Sequence, residues 1–524
     1  MPSHIPPIPF MKKLFLLGII LLSTFNPFAQ TKTPEVCYEI FVRSFADSNG
    51  DGIGDINGIT SKLDYLKSLG VDALWLTPVS KSPSYHKYDV VDYKSIDPEF
   101  GTIEDYKKLI AEAHKRKIKI IKDFVINHTS DKHPWFLEAK KGKSNPYRDY
   151  YVWMTPKMID SLGIATREQA GGSWEVTPWH FAHKDDTEKY YALFWGGMPD
   201  LNYDNPKVRK EVYEAAKYWL KEVGVDGFRL DAAKHIYPDW EAEKSHAFWQ
   251  EFRKEMTSVK PDVYIVGEVW TSADKVAPYF KGLPANFHID EGFAIQKVVK
   301  EGKDDNLIQK ILSDYQAFGS QNPDFIDATI IDNHDQDRIG TVMNDDVNKM
   351  KVAAQLLLSL PGQPYIYYGE ELGMLGKKPD ENIREPFLWE KEASDKARTK
   401  WMKPVFTTEK TVRPLSEQSK DPNSVFSTYK NLIAFRKSQP AMRQVIRPNL
   451  QESAIKQEGI LAFVRNHPSG NLLVIHNLTG KAQDIQLPSS EQKYKAIVFT
   501  TSGKKGALNS VKVAVPAFGM VVLK

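Results

Sequence analysis

The chain has 524 residues, with 70 Lys plus Arg against 67 Asp plus Glu and a formal charge of +3. Apolar residues at 41% and charged residues at 26% exclude wholesale disorder and a fibrous or collagen-like build. A balanced charge with no long basic run leaves no electrostatic footprint for nucleic acid. Aromatic residues make up 12%. That fraction fits a large core, or a surface that stacks flat apolar faces such as sugar rings or bases.

Residues 11–30 carry Lys12 and Lys13, then an apolar run over 14–22, then Phe28-Ala29. This is the layout of a secretory leader cleaved after Ala29, with Met11 a better start than Met1. The apolar run is far short of the roughly 20 residues that span a bilayer, and no later stretch approaches a span. The mature protein is expected to be exported, secreted or periplasmic, and monomeric. Cys37 is the single cysteine, which excludes an intrachain disulfide or a Cys-based metal centre. It does not directly follow the leader, so no lipoprotein anchor is expected. Its place in an apolar run points to a small buried residue.

From residue 36 onward, β-rich runs alternate with amphipathic helical ones. Strands are predicted at 36–45, 73–78, 118–127, 226–231, 263–268, 286–290, 326–332 and 364–368. Helices are predicted at 102–116, 206–223, 240–256, 348–360 and 424–438. Eight strands in series with intervening helices predict an α/β fold, a (β/α)8 TIM barrel. The gap between the third and fourth strands exceeds what one helix needs, so 129–202 reads as an inserted B subdomain. Trp135, Tyr147, Tyr150, Tyr151, Trp153, Trp174, Trp179 and His180 make it aromatic-rich. The barrel then occupies 30–128 and 203–444. The tail, 445–524, shows short alternating strands near 472–476, 495–500 and 511–515, which predict a C-terminal antiparallel β-sandwich.

Four strand ends carry acidic or imidazole side chains: Asp123…Asn127-His128, Arg229-Leu-Asp231…Lys234-His235, Glu268-Val-Trp270, and Asp332-Asn-His334-Asp335. In a parallel barrel all strand C-termini open on one face, so these groups converge. One acid at a strand end merely caps the next helix. Three acids with an Arg two positions before one of them and several histidines exceed that account. Paired carboxyls are what glycosidic cleavage requires, one ionised and one protonated. Arg229 favours an ionised Asp231, and Glu268 is the candidate for a raised pKa.

These four segments, in order and spacing, resemble the signature regions of the α-amylase family, glycoside hydrolase family 13. The resemblance covers nearly the whole chain after the leader. It implies a barrel, a B subdomain after strand three and a C-terminal sandwich. It also implies Asp231 as nucleophile, Glu268 as general acid/base and Asp335 as transition-state stabiliser, with Arg229, His128 and His334 as companions at the cleaved sugar. The implied mechanism is retaining. The segment Tyr85-His86-Lys87-Tyr88-Asp89 resembles the family's stretch after strand two, which implies that His86, Tyr88 and Asp89 bind the non-reducing-side sugar. Many members have Gly where this chain has Lys87.

Asp47-Ser-Asn49-Gly-Asp51-Gly-Ile53-Gly-Asp55 alternates oxygen ligands, yet the twelfth position holds Gly58 where an EF-hand needs Glu. A compact oxygen site from Asp47, Asn49, Asp51, the Ile53 carbonyl and Asp55 is expected, because three Asp within nine residues repel one another without a cation. The resemblance makes that cation Ca²⁺. It also suggests a second calcium site from Asn127, Asp200 and the His235 carbonyl.

Lys234-His235 resembles the pair that true α-amylases present to leaving-side sugars. Met198-Pro-Asp-Leu-Asn202 resembles members between oligo-1,6-glucosidases and neopullulanases. The expected activity is cleavage of internal α-1,4 bonds in starch, glycogen or maltooligosaccharides. An exo-acting α-glucosidase or oligo-1,6-glucosidase is the alternative, and a non-catalytic glycan-binding or transporter-associated barrel the remote one.

Overall fold

A computed structural model describes residues 33–168, 175–508 and 510–524. The expected leader and Trp174 lie outside these residues. Among them no helix is long and apolar enough to cross a membrane.

Eight parallel strands close a barrel: β1 (Cys37–Ile40), β2 (Ala73–Leu76), β3 (Lys119–Phe124), β4 (Gly227–Leu230), β5 (Tyr264–Gly267), β6 (Ala285–Phe287), β7 (Ile326–Thr329) and β8 (Gln363–Tyr367). Each strand pairs with its neighbour in sequence, and β8 returns to β1 through the Cys37↔Tyr365 register. Side chains alternate with period two. Cys37, Trp75, Ile121, Val266, Phe287, Ala328 and Tyr365 fill the interior, while Tyr38, Leu74, Ile120 and Phe228 pack outward against the helices. Cys37 is the small buried residue expected, and burial pushes its thiol pKa far up.

The predicted run 36–45 divides. Its strand stops at Ile40, and Val42–Phe45 forms a helical turn that is buried throughout. The chain leaves the ladder there because the Val42 N–H donates to Thr77 Oγ1 (3.3 Å) and the Ser44 N–H to the Phe41 carbonyl (3.0 Å). Residues 286–290 divide likewise: β6 ends at Phe287 and the helix Ile289–Glu301 begins. The helix Ile103–Lys115 starts at a capping box between Thr102 and Asp105. The helix Pro206–Tyr218 starts with Pro at its first position behind an Asn205 cap.

Between β3 and β4 the insert forms a three-stranded antiparallel sheet of Trp153–Met154, Lys189–Tyr191 and Trp179–His180. Its own small core joins Ile159, Ile164, Trp179, Tyr191 and Leu193. At the C-terminus, β9 (Leu450–Glu452), β10 (Ile460–Arg465), β11 (Leu472–Asn477), β12 (Gln483–Gln486), β13 (Ala496–Thr500), β14 (Gly506–Ala507), β15 (Lys512–Val515) and β16 (Met520–Leu523) follow. They form a six-stranded sheet in the order β9-β10-β11-β16-β13-β14 and a two-stranded sheet of β12 and β15. Alternation again sorts the faces. Leu461, Phe463, Val474 and Val522 join the core shared with the barrel, whereas Ile460, Val464, Leu473 and Val521 face Ile485 and Val513 of the second sheet.

Candidate active site

The alternation that fills the barrel also places its polar layer. Glu39, Trp75, Asp123 and Arg229 sit at inward positions near the C-terminal ends of β1 to β4, with Trp75 across from Glu39 and Asp123 across from Arg229. Arg229 has no solvent exposure, and its guanidinium is the hub. Nη1 donates to Asp231 Oδ1 at 2.6 Å and to both oxygens of Asp123 at 3.1 and 3.2 Å. Nη2 faces Glu268 Oε1 at 2.8 Å. The Arg229 guanidinium carbon also lies 4.8 Å from the Trp75 ring centroid, which fixes its plane.

Asp231 and Glu268 lie one residue past the ends of β4 and β5. Ala232 adopts the left-handed region at φ 47°, which aims its N–H at Glu268 Oε2 (3.0 Å). A strained non-glycine residue in that position is held by its surroundings. Beyond β7, Asp332 Oδ2 accepts from the Ile339 N–H (2.6 Å), so it acts as a helix cap and not as a group of the site. His334 Nδ1 faces Glu39 at 2.5 Å and Nε2 faces Asp335 at 3.1 Å. The Tyr88 ring stacks on His334 with centroids 5.3 Å apart, and its hydroxyl bonds both His334 and Asp123. Arg384 holds Asp335 at 2.8 Å and Asp380 at 3.0 Å.

Burial sets most of the protonation states. It raises Asp231 to about 6, with Arg229 pulling the other way. Burial also raises Glu268 against the same Arg229. Asp335 moves the opposite way. Burial would raise it, but His334 and Arg384 outweigh that and hold the carboxyl well below its usual range. His334 itself, opposed by burial, is pushed up to about 10 by Asp335 and Glu39, so it is an imidazolium at neutral pH. Burial lowers His128 to about 4 and lowers His86, which keeps both neutral. His86 Nδ1 accepts from the Tyr88 N–H (3.1 Å), which leaves Nε2 to donate.

An open cleft of about 790 Å³ collects His86, Tyr88, His128, Asp231, Lys234, His235, Glu268 and Asp335, with Arg384 among its walls. Arg229 and His334 lie beneath it. Asp89 departs from the expectation. It is 4% exposed, does not line the cleft, and accepts from the hydroxyls of Ser82 (2.7 Å) and Ser84. It braces the loop after β2 from inside.

The aromatic insert is mostly core. Tyr151 and Trp179 are buried, and Trp153 stacks on Phe136 and under Arg148. Trp195, 57% exposed, and Phe293 are instead the large exposed rings of the cleft. Trp195 lies over Gly197, where an added Cβ would sit 2.1 Å from the ring. No spacing marks Trp195 or Arg384 in the sequence; the Gly196-Gly197 pair beside Trp195 was the one available signal.

In the loop 47–55, Asp47 accepts from the N–H groups of Asn49, Gly50 and Gly52, and Asp51 from that of Ile53. Asp55 accepts from Ser48 and caps the helix Ile56–Ser61 through the Gly58 N–H. The donor chemistry, acid and amide oxygens at alternate positions, suits a hard cation. Asn127 Oδ1 is buried without a hydrogen-bond partner, beside the His128↔Asp200 bridge. Among the described residues, the one group of three His or acid side chains at metal-ligand spacing is His288, Glu291 and Asp327. It lies behind the barrel wall. Burial lowers the His288 pKa, but Asp327 and Asp314 outweigh it and raise the imidazole well above its ordinary value.

The family profile described as "Alpha amylase, catalytic domain" matches residues 39–445, and that of the "Alpha-amylase SusG C-terminal domain" matches 460–522. Alpha-amylase 3 of Dictyoglomus thermophilum is 43% identical, over 95% of this chain and 96% of its own. An oligo-1,6-glucosidase of Parageobacillus thermoglucosidasius is 35% identical, over 86% and 91%. The crystal structure of an alpha-amylase from H. orenii superposes with a TM-score of 0.84 at 41% identity, covering 94% of this chain and 99% of that one. With barrel, insert and C-terminal sheets all accounted for, the chain belongs to the α-amylase family, glycoside hydrolase family 13, and is a glycoside hydrolase.

Proposed function

We propose that this enzyme cleaves internal α-1,4-glucosidic bonds of starch, glycogen or maltooligosaccharides with retention of configuration. The observation that carries this is the Arg229 fork, which grips Asp231 at 2.6 Å and Glu268 at 2.8 Å on the floor of an open cleft. Two carboxyls on neighbouring nitrogens of one guanidinium suit the short separation of a retaining pair, about 5–5.5 Å, better than the wider inverting one.

Protonated Glu268 gives its proton to the glycosidic oxygen while ionised Asp231 attacks the anomeric carbon. The leaving glucan departs with that proton, and the sugar is held as a β-glycosyl ester of Asp231. Water then attacks the same carbon, returns a proton to Glu268 and frees Asp231, so the new reducing end is α. Asp335, fixed as an anion by His334 and Arg384, faces the oxocarbenium-like charge of both transition states. His86 Nε2–H and neutral His128 bond the sugar hydroxyls, Tyr88 forms the platform beneath, and Lys234 and His235 meet the leaving side.

The endo reading is supported by the open cleft with Trp195 and Phe293 exposed within it, which leaves room for glucan on both sides of the cut. The likeness to an oligo-1,6-glucosidase favours an exo-acting alternative. Maltoheptaose labelled at its reducing end distinguishes them. The endo reading predicts a mixture of shorter labelled oligosaccharides at early times; unlabelled glucose with labelled maltohexaose as the only early products overturns it.

Asp47, Asn49, Asp51, the Ile53 carbonyl and Asp55 are the proposed Ca²⁺ ligands, and Asn127, Asp200 and the His235 carbonyl a second set. Bound there, the ion supplies loop rigidity and no chemistry to the cleft. Export follows from the leader-like residues 12–29, and N-terminal sequencing of the mature protein beginning at Gln30 is the check.

A further inference from the structure

Lys87 occupies the left-handed backbone region, φ 64°, where a side chain is strained relative to glycine. Yet it is 3% exposed. Its Nζ sits 2.9 Å from Asp97 Oδ2, 2.7 Å from Glu99 Oε2 and 3.2 Å from the Ser82 carbonyl. It also lies 5.6 Å from the centre of the Phe100 ring. Asp97 binds the same loop at the Ser82 N–H (3.1 Å). Glu99 also pairs with Arg43, whose Nε donates to the Tyr85 carbonyl (3.1 Å). Thus two cations sharing one carboxylate tie the segment 82–88 to the turn 97–100. The segment's cleft-facing members are His86 and Tyr88, and the left-handed turn between them lets the Tyr88 N–H meet His86 Nδ1.

We infer that Lys87 is a positioning residue. Its buried ammonium holds the turn that sets the His86 donor and the Tyr88 platform against the sugar being cleaved, a task the side-chain-free turn of a glycine cannot perform. This rests on the proposed sugar-binding roles of His86 and Tyr88. A glycine would relieve the backbone strain, so a residue kept there against that strain is doing something through its side chain. A buried Asp97 left without its cation is the other consequence of removing it, and the experiment must separate the two.

Compare Lys87→Gly, Lys87→Met and the double variant Lys87→Met/Asp97→Asn, which removes both charges. For each, measure Tm, kcat and KM on maltoheptaose, and the affinity of a glucose-shaped iminosugar, which binds at the cleaved sugar. The positioning role predicts that all three lose about tenfold or more in kcat, with iminosugar affinity falling in parallel. The double variant regains thermal stability but not kcat. If the double variant recovers kcat with Tm, Lys87 only balances charge and the inference fails. Wild-type kcat and iminosugar affinity in folded Lys87→Gly refute it equally. Failure of the wild-type enzyme to bind the iminosugar would instead indict the His86 and Tyr88 assignments.

Discussion

Replacing Asp231 by Asn keeps the side-chain shape and removes its charge, with two consequences of opposite sign. Activity loses the nucleophile and falls by at least about 10⁴-fold. Stability rises, but only at neutral pH. In the folded protein the Asp231 carboxyl is raised from 3.8 to about 6, so folding disfavours its ionised form. Below pH 3.8 the carboxyl is protonated in both states and nothing is lost. From there to about 6 the unfolded chain releases its proton first, and the wild type loses stability as pH rises. Above 6 the penalty is constant at about 3 kcal/mol. Asn carries no such penalty, and Arg229 keeps Asp123 and Glu268 as partners. For a fold of this size the unfolding entropy is about 1 kcal/mol per kelvin, so Asp231→Asn gains about 3 °C in Tm at pH 7.5 and almost nothing near pH 3.8. Calorimetric melts at the two pH values and one ionic strength read this directly. An equal gain at both, or a loss at pH 7.5, would refute the assignment of Asp231 as a group ionised against burial.

Because attack needs ionised Asp231, kcat/KM should fall as pH drops through about 6, and an acid limb below 4 in a stopped assay would contradict the raised value. Chelation by EDTA should lower Tm by a few degrees, with Ca²⁺ restoring it, since an ion at about 100 times its Kd contributes about 2.7 kcal/mol. Identical melting curves with and without EDTA would dismiss the loop 47–55 as a cation site. Trp195→Ala should cost about 1 kcal/mol, roughly fivefold in kcat/KM, on maltoheptaose. It should leave a short aryl glucoside unaffected, and an equal loss on both would show that the ring is structural.

Regular periods made the barrel and the centre of its site readable from the chain. Once β4 is a strand with Leu230 outward, Arg229 must point in and Asp231 must emerge at its end, and the same holds for Glu268 after β5. The strand limits were less readable, because Val42 and Phe45 continue the apolar run of β1 but are buried in a turn, where every face needs an apolar residue. Asp89 misled because a motif position does not reveal whether a carboxylate faces the cleft or two serine hydroxyls behind it. Arg384 and Trp195 lie on irregular segments whose direction is set by what they pack on, and no period announces them. The aromatic content was ambiguous for a related reason. Tyr151 and Trp179 went to the core and Trp195 to the surface, and only Trp179 of the three lies in the insert's sheet.

The central claim is a retaining displacement by Asp231 assisted by Glu268. Proton NMR of the anomeric signal during the first minutes of maltooligosaccharide cleavage, before mutarotation, tests it most directly. The account predicts a new reducing end that appears as the α-anomer and only later equilibrates. First appearance of the β-anomer would mean inversion, and with it that Asp231 does not form the covalent intermediate.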